Sequence, residues 1–388
     1  MSGSSHASSI RLIWTGTFDP AFSRNQRLRV WMKKEQINYS IVRRDLWTTD
    51  RVVLAKTKPF RLLLKAMYTY GVLFLRLMAN PRPDIYLVSY PGWFDVPVVW
   101  LIALLKRVPV VFDPFFSLHD TMVEDRALVG TRSVVAKLAA LIDRISLRLA
   151  NVVIADTQVQ ADYYSSLVTS VAEKSFVLPI GADDSLFLRH KPYETQNRLV
   201  VFYGSFVPLQ GLRTIVSAAG LLRESGLKFR IIGDGQDRAV LKSAIADTGT
   251  QVEWLRRVEL SQLPQLIDPA ALCLGIFGSS DKADRVIPHK LFECLAMGKP
   301  VITRASSAID SLFAPEEVKT IPPDDPAALA RAIEVLLADD LSRAKFARAG
   351  NVAFRERFSE AVLSTELRSI FESAISNYGK IERTGVRP

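Results

Sequence analysis

The sequence predicts an α/β protein of two doubly wound domains, each with a parallel sheet covered by helices on both faces. In both halves, short apolar runs typical of buried strands alternate with segments of helical periodicity. The alternation is lost in the polar stretch 181–197 and then restarts. The length of 388 residues suits two domains of ordinary size. Two such domains would place the carboxyl ends of both sheets around one cleft.

The N-terminal half carries the first set of alternating segments. Strands are predicted at Arg11–Thr15, Tyr39–Val42, Ile85–Ser89, Pro109–Phe112 and Val152–Ala155. Helices are predicted from Asn25, within Phe60–Ala79, and at Val96–Leu105 and Val134–Ala150. The longest apolar region, 85–116, is interrupted by prolines and charged residues, so no transmembrane helix is predicted.

The C-terminal half repeats the pattern. Strands are predicted at Leu199–Tyr203, Lys228–Ile232, Gln251–Leu255, Ala271–Ile276 and Pro300–Thr303. Helices are predicted at Gly211–Glu224, Asp237–Ala246, Ser261–Ile267, His289–Met297 and Pro326–Ala338. Asp325 before Pro326 is a cap and first-turn pair for the last of these helices. We expect domains at 1–190 and 191–360, with a helix and tail at 361–388 that pack back on the first domain.

The amino-acid composition limits the classes of molecule that the protein is expected to bind. Lys and Arg outnumber Asp and Glu by 50 to 40, a net charge of +10 that favours anionic partners. No nucleic-acid-binding motif accompanies this charge, so nucleic acid is set aside. The two cysteines, Cys273 and Cys294, lie in apolar surroundings outside any metal-ligand spacing, so we expect a reducing compartment and no metal. The start, 1–9, lacks a secretory signal, and a cytoplasmic location is expected.

The segment Val286–Ile302 carries the most informative pattern. Pro288 can begin a helix, and Lys290 and Glu293 then share one face of its first turns. A helix N-terminus with an ammonium suits a diphosphate, and a carboxylate one turn later can accept two hydrogen bonds from a ribose diol. An exposed salt bridge is the alternative for an isolated pair. The preceding strand, the polar loop 278–284 and the following Gly298-Lys-Pro turn favour a phosphate site.

Here the chain resembles glycosyltransferase family 4, the group 1 glycosyltransferases. The resemblance is carried by 203–211, 231–235, 290–302, Val111-Phe-Asp-Pro114 and Asp156-Thr157, and it extends over most of the chain. It implies the GT-B fold of two facing Rossmann-like domains and a retaining transfer from a nucleotide diphosphate sugar, without a metal or other cofactor. It also places Glu293 at the ribose and Lys290 at the phosphates.

Three positions depart from the family pattern. Where the family has a glutamate eight residues before Glu293, this chain has Arg285, and Ser205 and Gln210 replace an arginine and a lysine. Loss of two cations would weaken stabilisation of the leaving diphosphate. We therefore expect the cationic function to lie in the next loop, on Lys282, Arg285 and Lys290, with solvated loop charges as the alternative for Lys282.

Other candidates follow strand ends. Gly204 and Gly233 would let backbone N–H groups approach phosphate, and Gly16 would do so from the N-terminal domain, although each can be a plain turn glycine. Asp113 and His119 are the polar candidates near the reacting sugar. For His119, a buried histidine with satisfied hydrogen bonds is an equal alternative.

The segment 51–82 interleaves basic residues with apolar and aromatic ones, among them Lys56, Lys58, Arg61, Lys65 and Arg76. Such a helix suits an anionic bilayer at the inner face of the cell membrane, and a core helix with snorkelling cations is the alternative. Relatives in the family often act on lipid-linked carriers, so a lipid-linked or surface-polysaccharide intermediate is the expected acceptor.

The donor is expected to be of the UDP, GDP or dTDP type. Two other functions stay open: a nonhydrolysing nucleotide-sugar epimerase of similar fold, and a catalytically silent GT-B binding or scaffold subunit. The first needs an acid/base set that the sequence does not display, and the second is favoured by Arg285, Ser205 and Gln210.

Overall fold

A computed structural model describes residues 10–46, 59–125, 129–189, 193 and 197–384. It contains two six-stranded sheets, in which every strand pair is parallel. The predicted α/β class with two doubly wound sheets is confirmed. The predicted leader at 1–9, the basic residues Lys56 and Lys58, and parts of the polar stretch between the sheets lie outside the described residues.

The N-terminal sheet has the strand order β2-β1-β3-β4-β5-β6. Its strands are β1 Arg11–Gly16, β2 Asn38–Arg43, β3 Ile85–Ser89, β4 Val110–Asp113, β5 Val152–Ala155 and β6 Ser175–Val177. The helices of this half are α1 Ser23–Lys34, α2 Pro59–Ala79, α3 Asp95–Lys106, α4 Leu118–Asp120, α5 Val134–Leu149, α6 Gln158–Leu167 and α7 Asp184–Phe187. Within the described ranges, no helix is both long and apolar enough to span a membrane.

Alternate residues of these strands enter two cores, as the period of a strand requires. Ile13 and Val88 face α2, α3, α5 and α6, whereas Leu12 and Trp14 face α1 on the opposite side. Strands buried on both faces read as nearly continuous apolar runs, which is why the sequence reveals them.

The C-terminal sheet has the order β12-β11-β10-β7-β8-β9. Its strands are β7 Leu199–Tyr203, β8 Lys228–Ile232, β9 Val252–Leu255, β10 Leu272–Leu274, β11 Val301–Arg304 and β12 Lys319–Ile321. Its helices are α8 Leu212–Leu221, α9 Arg238–Thr248, α10 Leu263–Ile267, α11 Asp281–Arg285, α12 His289–Ala296, α13 Ser307–Leu312, α14 Pro326–Ala338 and α15 Asp340–Ala353. The predicted cap is present, because Asp325 accepts a 2.8 Å hydrogen bond from the backbone N–H of Ala328.

The strand order places a topological switch point in each sheet. Between β7 and β10 the chain stops adding strands on one side and starts on the other, and the same happens between β1 and β3. At such a point the loops leaving neighbouring strands diverge and open a crevice at the carboxyl ends. The sequence-predicted glycines Gly16 and Gly204 lie at these two points.

The last helix, α16 Glu360–Thr384, returns to the N-terminal domain. Leu363, Leu367, Ile370 and Phe371 are fully or almost fully buried in the core that contains Trp14 and α1. The backbone N–H of Glu360 donates to Asp184 Oδ2 at 3.0 Å, and the Ser364 hydroxyl donates to Glu35 Oε1 at 2.8 Å. This helix supplies one wall of the first domain's core.

The segment that leaves the first domain touches the segment that returns to it. Gly181 lies so close to Leu363 and to the carbonyl oxygen of Phe358 that a Cβ at this position would collide with both. Arg355 donates to the carbonyl oxygen of Arg189 at 2.5 Å. The two connections between the domains therefore run side by side.

We expect Phe371→Ala to destabilise the N-terminal domain by about 3–5 kcal/mol, since it removes a fully buried ring and leaves a cavity. Urea unfolding followed by tryptophan fluorescence measures this change, because Trp14 and Trp31 share the same core. The neighbouring Glu372→Ala is the control; within the described residues Glu372 pairs with Arg368 at the surface, so its loss should cost no more than about 1 kcal/mol. Equal stability of the two variants would contradict a core role for α16.

Candidate active site

Lys290 lies in the first turn of α12, and its side chain reaches the switch point between β7 and β10 of the C-terminal sheet. Its Nζ donates to Gln210 Oε1 and, at 3.2 Å, to the carbonyl oxygen of Gly275, and it lies 3.8 Å from the centre of the Phe202 ring. Phe202 belongs to β7, and Gly275 follows β10. The ammonium is therefore held between the carboxyl ends of these two strands, where a ligand crevice is expected.

Glu293 lies one turn further along α12. Tyr203, the last residue of β7, donates its hydroxyl hydrogen to Glu293 Oε2 at 2.8 Å, and the same hydroxyl lies 3.3 Å from the carbonyl oxygen of Lys290. Tyr203 is buried, whereas Glu293 is only half-buried. Tyr203 is not among the site residues predicted from the sequence, in which its one signal is its position at the end of a strand.

The two charges of α12 are both held in a desolvating environment. Burial lowers the pKa of the Lys290 ammonium well below its ordinary value, and the nearby Cys294 and Glu293 only partly counteract this. Burial also raises the pKa of Glu293 to about 7, against the hydrogen bond from Tyr203 and the attraction of Lys290. An anionic group would stabilise the ammonium of Lys290, and hydrogen-bond donors would stabilise the carboxylate of Glu293.

The glycines predicted for this site make room for these side chains. A Cβ on Gly204 would lie 3.1 Å from Lys290 Nζ and 3.2 Å from Gln210 Oε1. Gly233 has a φ of +141° and packs directly on the carbonyl oxygen of Gly204, where a Cβ would collide. Ser205 is exposed beside them.

Arg304, at the end of β11, holds the loop between β10 and α12 by hydrogen bonds. Its Nη1 donates to the carbonyl oxygen of Gly278 at 2.7 Å, and its Nη2 donates to Asp284 Oδ1 at 3.1 Å. Arg304 is buried. With Arg285 and four other loop residues it lines an open cavity of about 340 Å³.

Arg285 links the two domains. Its Nη2 donates to Asp120 Oδ2 at 2.8 Å, and its guanidinium lies 4.2 Å from the centre of the Tyr163 ring. Tyr163 donates its hydroxyl hydrogen to Asp120 Oδ1 at 2.8 Å, and the Thr157 hydroxyl donates to the carbonyl oxygen of Arg285 at 2.6 Å. Asp120 is almost fully buried, so this is a desolvated ion pair between the domains.

Lys282 also faces the N-terminal domain. Its Nζ lies 4.2 Å from the centre of the Phe116 ring, and its side chain is buried. Of the three basic residues predicted to replace the missing cations, Lys290 thus lies among Gly204, Gln210 and Gly275, while Lys282 and Arg285 contact the opposite domain.

The N-terminal candidates have clear local partners. Asp113 forms a buried ion pair with Arg24 of α1, at 2.7 Å between Oδ2 and Nε, and burial raises the pKa of its carboxyl. His119 is half-buried, with its Nδ1 3.8 Å from Asp120 Oδ1. Gly16 lies against the carboxylate of Asp95, which leaves no room for a Cβ. Whether these three residues face a substrate stays a prediction.

His289, which the sequence reasoning passed over, lies next to Lys290 at the start of α12. Its Nε2 lies 3.4 Å from the Ser23 hydroxyl of α1, and its ring packs edge-on against Phe115. Burial, together with the positive charges of Arg24 and Arg27, lowers its pKa to about 3. A neutral imidazole therefore lies where the two domains meet.

Residues 186–352 match the family model described as glycosyl transferases group 1, and residues 39–181 match the glycosyl transferase 4-like domain. The two matches are consecutive, and together they contain the whole C-terminal sheet and, apart from β1 and the first residue of β2, the N-terminal sheet.

Two curated relatives are similar in sequence. The probable glycosyltransferase WbjE of Pseudomonas aeruginosa is 28% identical over 175 residues, which is 43% of this chain and 42% of WbjE. A protein provisionally named the colanic acid biosynthesis glycosyl transferase WcaI, from Escherichia coli (strain K12), is 23% identical over 329 residues, or 77% of this chain and 75% of WcaI. The match to WbjE therefore spans less than half of that protein.

Among solved structures, Anabaena HepE in complex with UDP and glucose superposes with a TM-score of 0.68. The sequence identity is 15%, and the superposition covers 94% of this chain and all of HepE (100%). At this identity the likeness concerns the fold.

We expect Glu293→Gln to stabilise the protein above pH 7 and not at acidic pH. Because its pKa is raised from 4.5 to about 7, the folded state holds this proton more tightly than the unfolded chain. The wild type therefore loses stability as the pH rises through that interval, and glutamine does not. The variant should gain about 1–3 kcal/mol by pH 8.

Urea unfolding at several pH values measures the difference. Glu334→Gln, at an exposed position of α14, is the control for removing a carboxylate. A difference between Glu293→Gln and wild type that does not change with pH would contradict the titration of this carboxyl.

Proposed function

Because the chain belongs to the group 1 glycosyltransferases, we propose that it transfers a sugar, with retention of configuration, from a nucleotide diphosphate donor to a lipid-linked or surface-polysaccharide acceptor. The observation that carries this proposal is the position of Lys290 and Glu293. An ammonium at the switch point and a carboxylate one helical turn away match the two halves of a nucleoside diphosphate.

Lys290 is the group that would bind the diphosphate. An ammonium has three N–H donors, and Gln210 and Gly275 accept two of them. We assign the third to a phosphate oxygen at the N-terminus of α12, where Pro288 precedes the helix and no side chain in the described part of the chain caps it. Bound phosphate would stabilise the ammonium that burial disfavours.

The hydrogen bond between Gln210 and Lys290 indicates how this chain replaces a cation of the family pattern. At this position the family pattern has a lysine, and here an amide oxygen accepts a hydrogen bond from Lys290. The cation thus comes from α12 instead of the loop after β7, and it reaches the same point between the strands. We take this as a relocation of the phosphate-binding charge.

The reaction would proceed on one face of the donor sugar. The bond from the anomeric carbon to the phosphate oxygen breaks, a bond to the acceptor oxygen forms on the same face, and the acceptor proton passes to the leaving phosphate. Lys290 would stabilise the negative charge that grows on that phosphate, so no metal ion is required. Transfer is expected to continue in excess chelator.

The relatives bear on the donor and the acceptor. The HepE structure holds UDP and glucose, which supports a nucleotide-sugar donor and makes UDP the first nucleotide to test. The name of WcaI places that protein in colanic acid biosynthesis, which supports a surface-polysaccharide intermediate as acceptor. We further propose that the enzyme works peripherally at a membrane surface, on its cytoplasmic side.

We expect Glu293→Ala to weaken the binding of the cognate nucleoside diphosphate by about 1.5–3 kcal/mol, because a charged hydrogen-bond acceptor for the ribose is lost. Calorimetric titration with UDP, GDP and dTDP measures the change, and Glu334→Ala is the control. Unchanged affinity in the folded variant would remove Glu293 from the nucleotide site.

We expect Lys290→Met to lower the single-turnover rate of transfer by about 10²–10³-fold, and the affinity for the donor by less, since the charge interaction grows in the transition state. Lys299→Met, which removes another buried lysine, is the matched control. The exchange Lys290→Gln with Gln210→Lys keeps one ammonium and one amide between the same strands, and it should recover part of the rate.

Wild-type transfer by folded Lys290→Met would contradict the relocation. Tight nucleotide binding by the wild type, without turnover on any donor and acceptor, would instead favour a silent binding subunit. Interconversion of nucleotide sugars without release of nucleotide would favour an epimerase.

A further inference from the structure

Three neighbouring helices of the N-terminal domain expose large apolar side chains to the outside. Helix α3 packs against both α2 and α5, and the inner sides of all three cover the same face of the sheet. On their outer sides, Met67 and Leu75 of α2, Leu105 of α3 and Val134 of α5 are between 61% and 80% exposed. We call this three-helix surface the apolar face. Surfaces of this kind mark interaction sites.

Helix α5 shows that covering the sheet does not account for the exposed apolar side chains. Its inner side is buried through Ala136, Ala139 and Leu147, while Leu138 and Leu141 on its outer side are 53% and 49% exposed. A helix that only covered the sheet would carry polar residues on its outer side. This helix carries apolar residues on both sides, and the second set lacks a contact within the described chain that buries it.

The exposed charges on the three helices all have one sign. Helix α2 contains no acidic residue, and the acidic residues of α3 and α5, Asp95 and Asp143, are buried. The exposed charged residues of these helices are basic: Arg61, Lys65 and Arg76 on α2, and Lys137, Arg144 and Arg148 on α5. A second copy of this chain would bring like charges together, whereas an anionic lipid surface would neutralise them.

We propose that the apolar face docks on an anionic lipid bilayer, with the side chains of α2, α3 and α5 in the headgroup region and their basic residues among the lipid phosphates. Shallow insertion of an apolar helix surface flanked by Lys and Arg is the mode of peripheral proteins. The docking surface is inferred independently of the proposed function, and only its biological role, access to a lipid-linked acceptor, rests on that function.

Hydrogen bonds on the inner side of α5 connect the helix that carries part of the apolar face to a segment at the cleft. Asp143 accepts hydrogen bonds from the Ser117 hydroxyl at 2.7 Å and from the backbone N–H groups of Leu118 and His119, both at 2.9 Å. This segment ends at Asp120, which pairs with Arg285 of the other domain. A bilayer in contact with α5 would thus lie one helix away from the mouth of the cleft, where a lipid-linked acceptor has to enter.

The test is flotation of the full-length protein with vesicles of equimolar phosphatidylglycerol and phosphatidylcholine, compared with phosphatidylcholine alone. The wild type should float with the anionic vesicles, and less so at high salt. Leu138→Glu should weaken binding by about tenfold or more, since it replaces buried hydrocarbon by a repelled charge. Leu341→Glu, at an exposed leucine of α15 in the C-terminal domain (84% exposed), is the matched control and should bind as the wild type does.

The charge contribution is tested separately by Lys137→Gln with Arg144→Gln, which should weaken binding to anionic vesicles by about tenfold or more and leave nucleotide affinity unchanged. Wild-type flotation by both the Leu138→Glu and the double-glutamine proteins would overturn the proposal. So would a dimer in sedimentation that Leu138→Glu dissociates, because the occupant would then be a second copy.

The failure of the docking proposal and that of the proposed function can be told apart. A wild type that transfers sugar but does not float would contradict docking alone. A wild type that floats through this face but neither binds nor turns over a nucleotide sugar would contradict the transferase function alone.

Discussion

The ammonium of Lys290 is buried between the carboxyl ends of β7 and β10, and the surrounding groups are arranged to hold it there. A lysine in such a place loses most of its hydration, so it needs acceptors, and Gln210 and Gly275 provide them. Gly204 leaves it space, and Gly233 lets the neighbouring loop pass close by. The geometry of three loops, those after β7, β8 and β10, thus follows from accommodating one charge at a point where sheets of this topology bind ligands.

The N-terminal domain contributes a second buried charge contact, between Asp120 and Arg285. Removing either partner would leave a charge without compensation in a desolvated place, which is far more costly than losing an exposed pair. Because Asp143 of α5 holds the Asp120 segment and Arg304 holds the Arg285 loop, each half of the pair is anchored in its own domain. The cleft is therefore closed on one side by a contact with defined geometry.

Much of this fold was predictable from the sequence, because strands buried on both faces leave apolar runs that stand out between helices. The three-residue strands Ser175–Val177 and Lys319–Ile321 were missed, since so short a run shows no periodicity. The sequence also brought Lys290, Gln210, Gly204 and Gly233 to one place, because they follow neighbouring strand ends.

Partners distant in sequence were not predictable. Nothing in the local pattern indicates that Arg285 pairs with Asp120, which precedes it by 165 positions. Nor does it indicate that Asp113 forms an ion pair with Arg24. The exposure of α5 was equally hidden, and for α2 the sequence left a bilayer surface and a core position open, because an apolar helix face has the same sequence whether a core or a bilayer covers it. The loop cations at Lys282 and Arg285 were assigned from position alone, and position does not determine the direction of a long side chain.

The chain passes between the domains twice, and the two passages touch at Gly181 and Phe358. Two distant connections would prevent the domains from separating, and a single one would let them tumble freely. Two adjacent connections act as a hinge with a narrow axis, which allows rotation about one line and resists twisting about the others. Rotation about this line is therefore the relative motion of the domains that the two connections resist least.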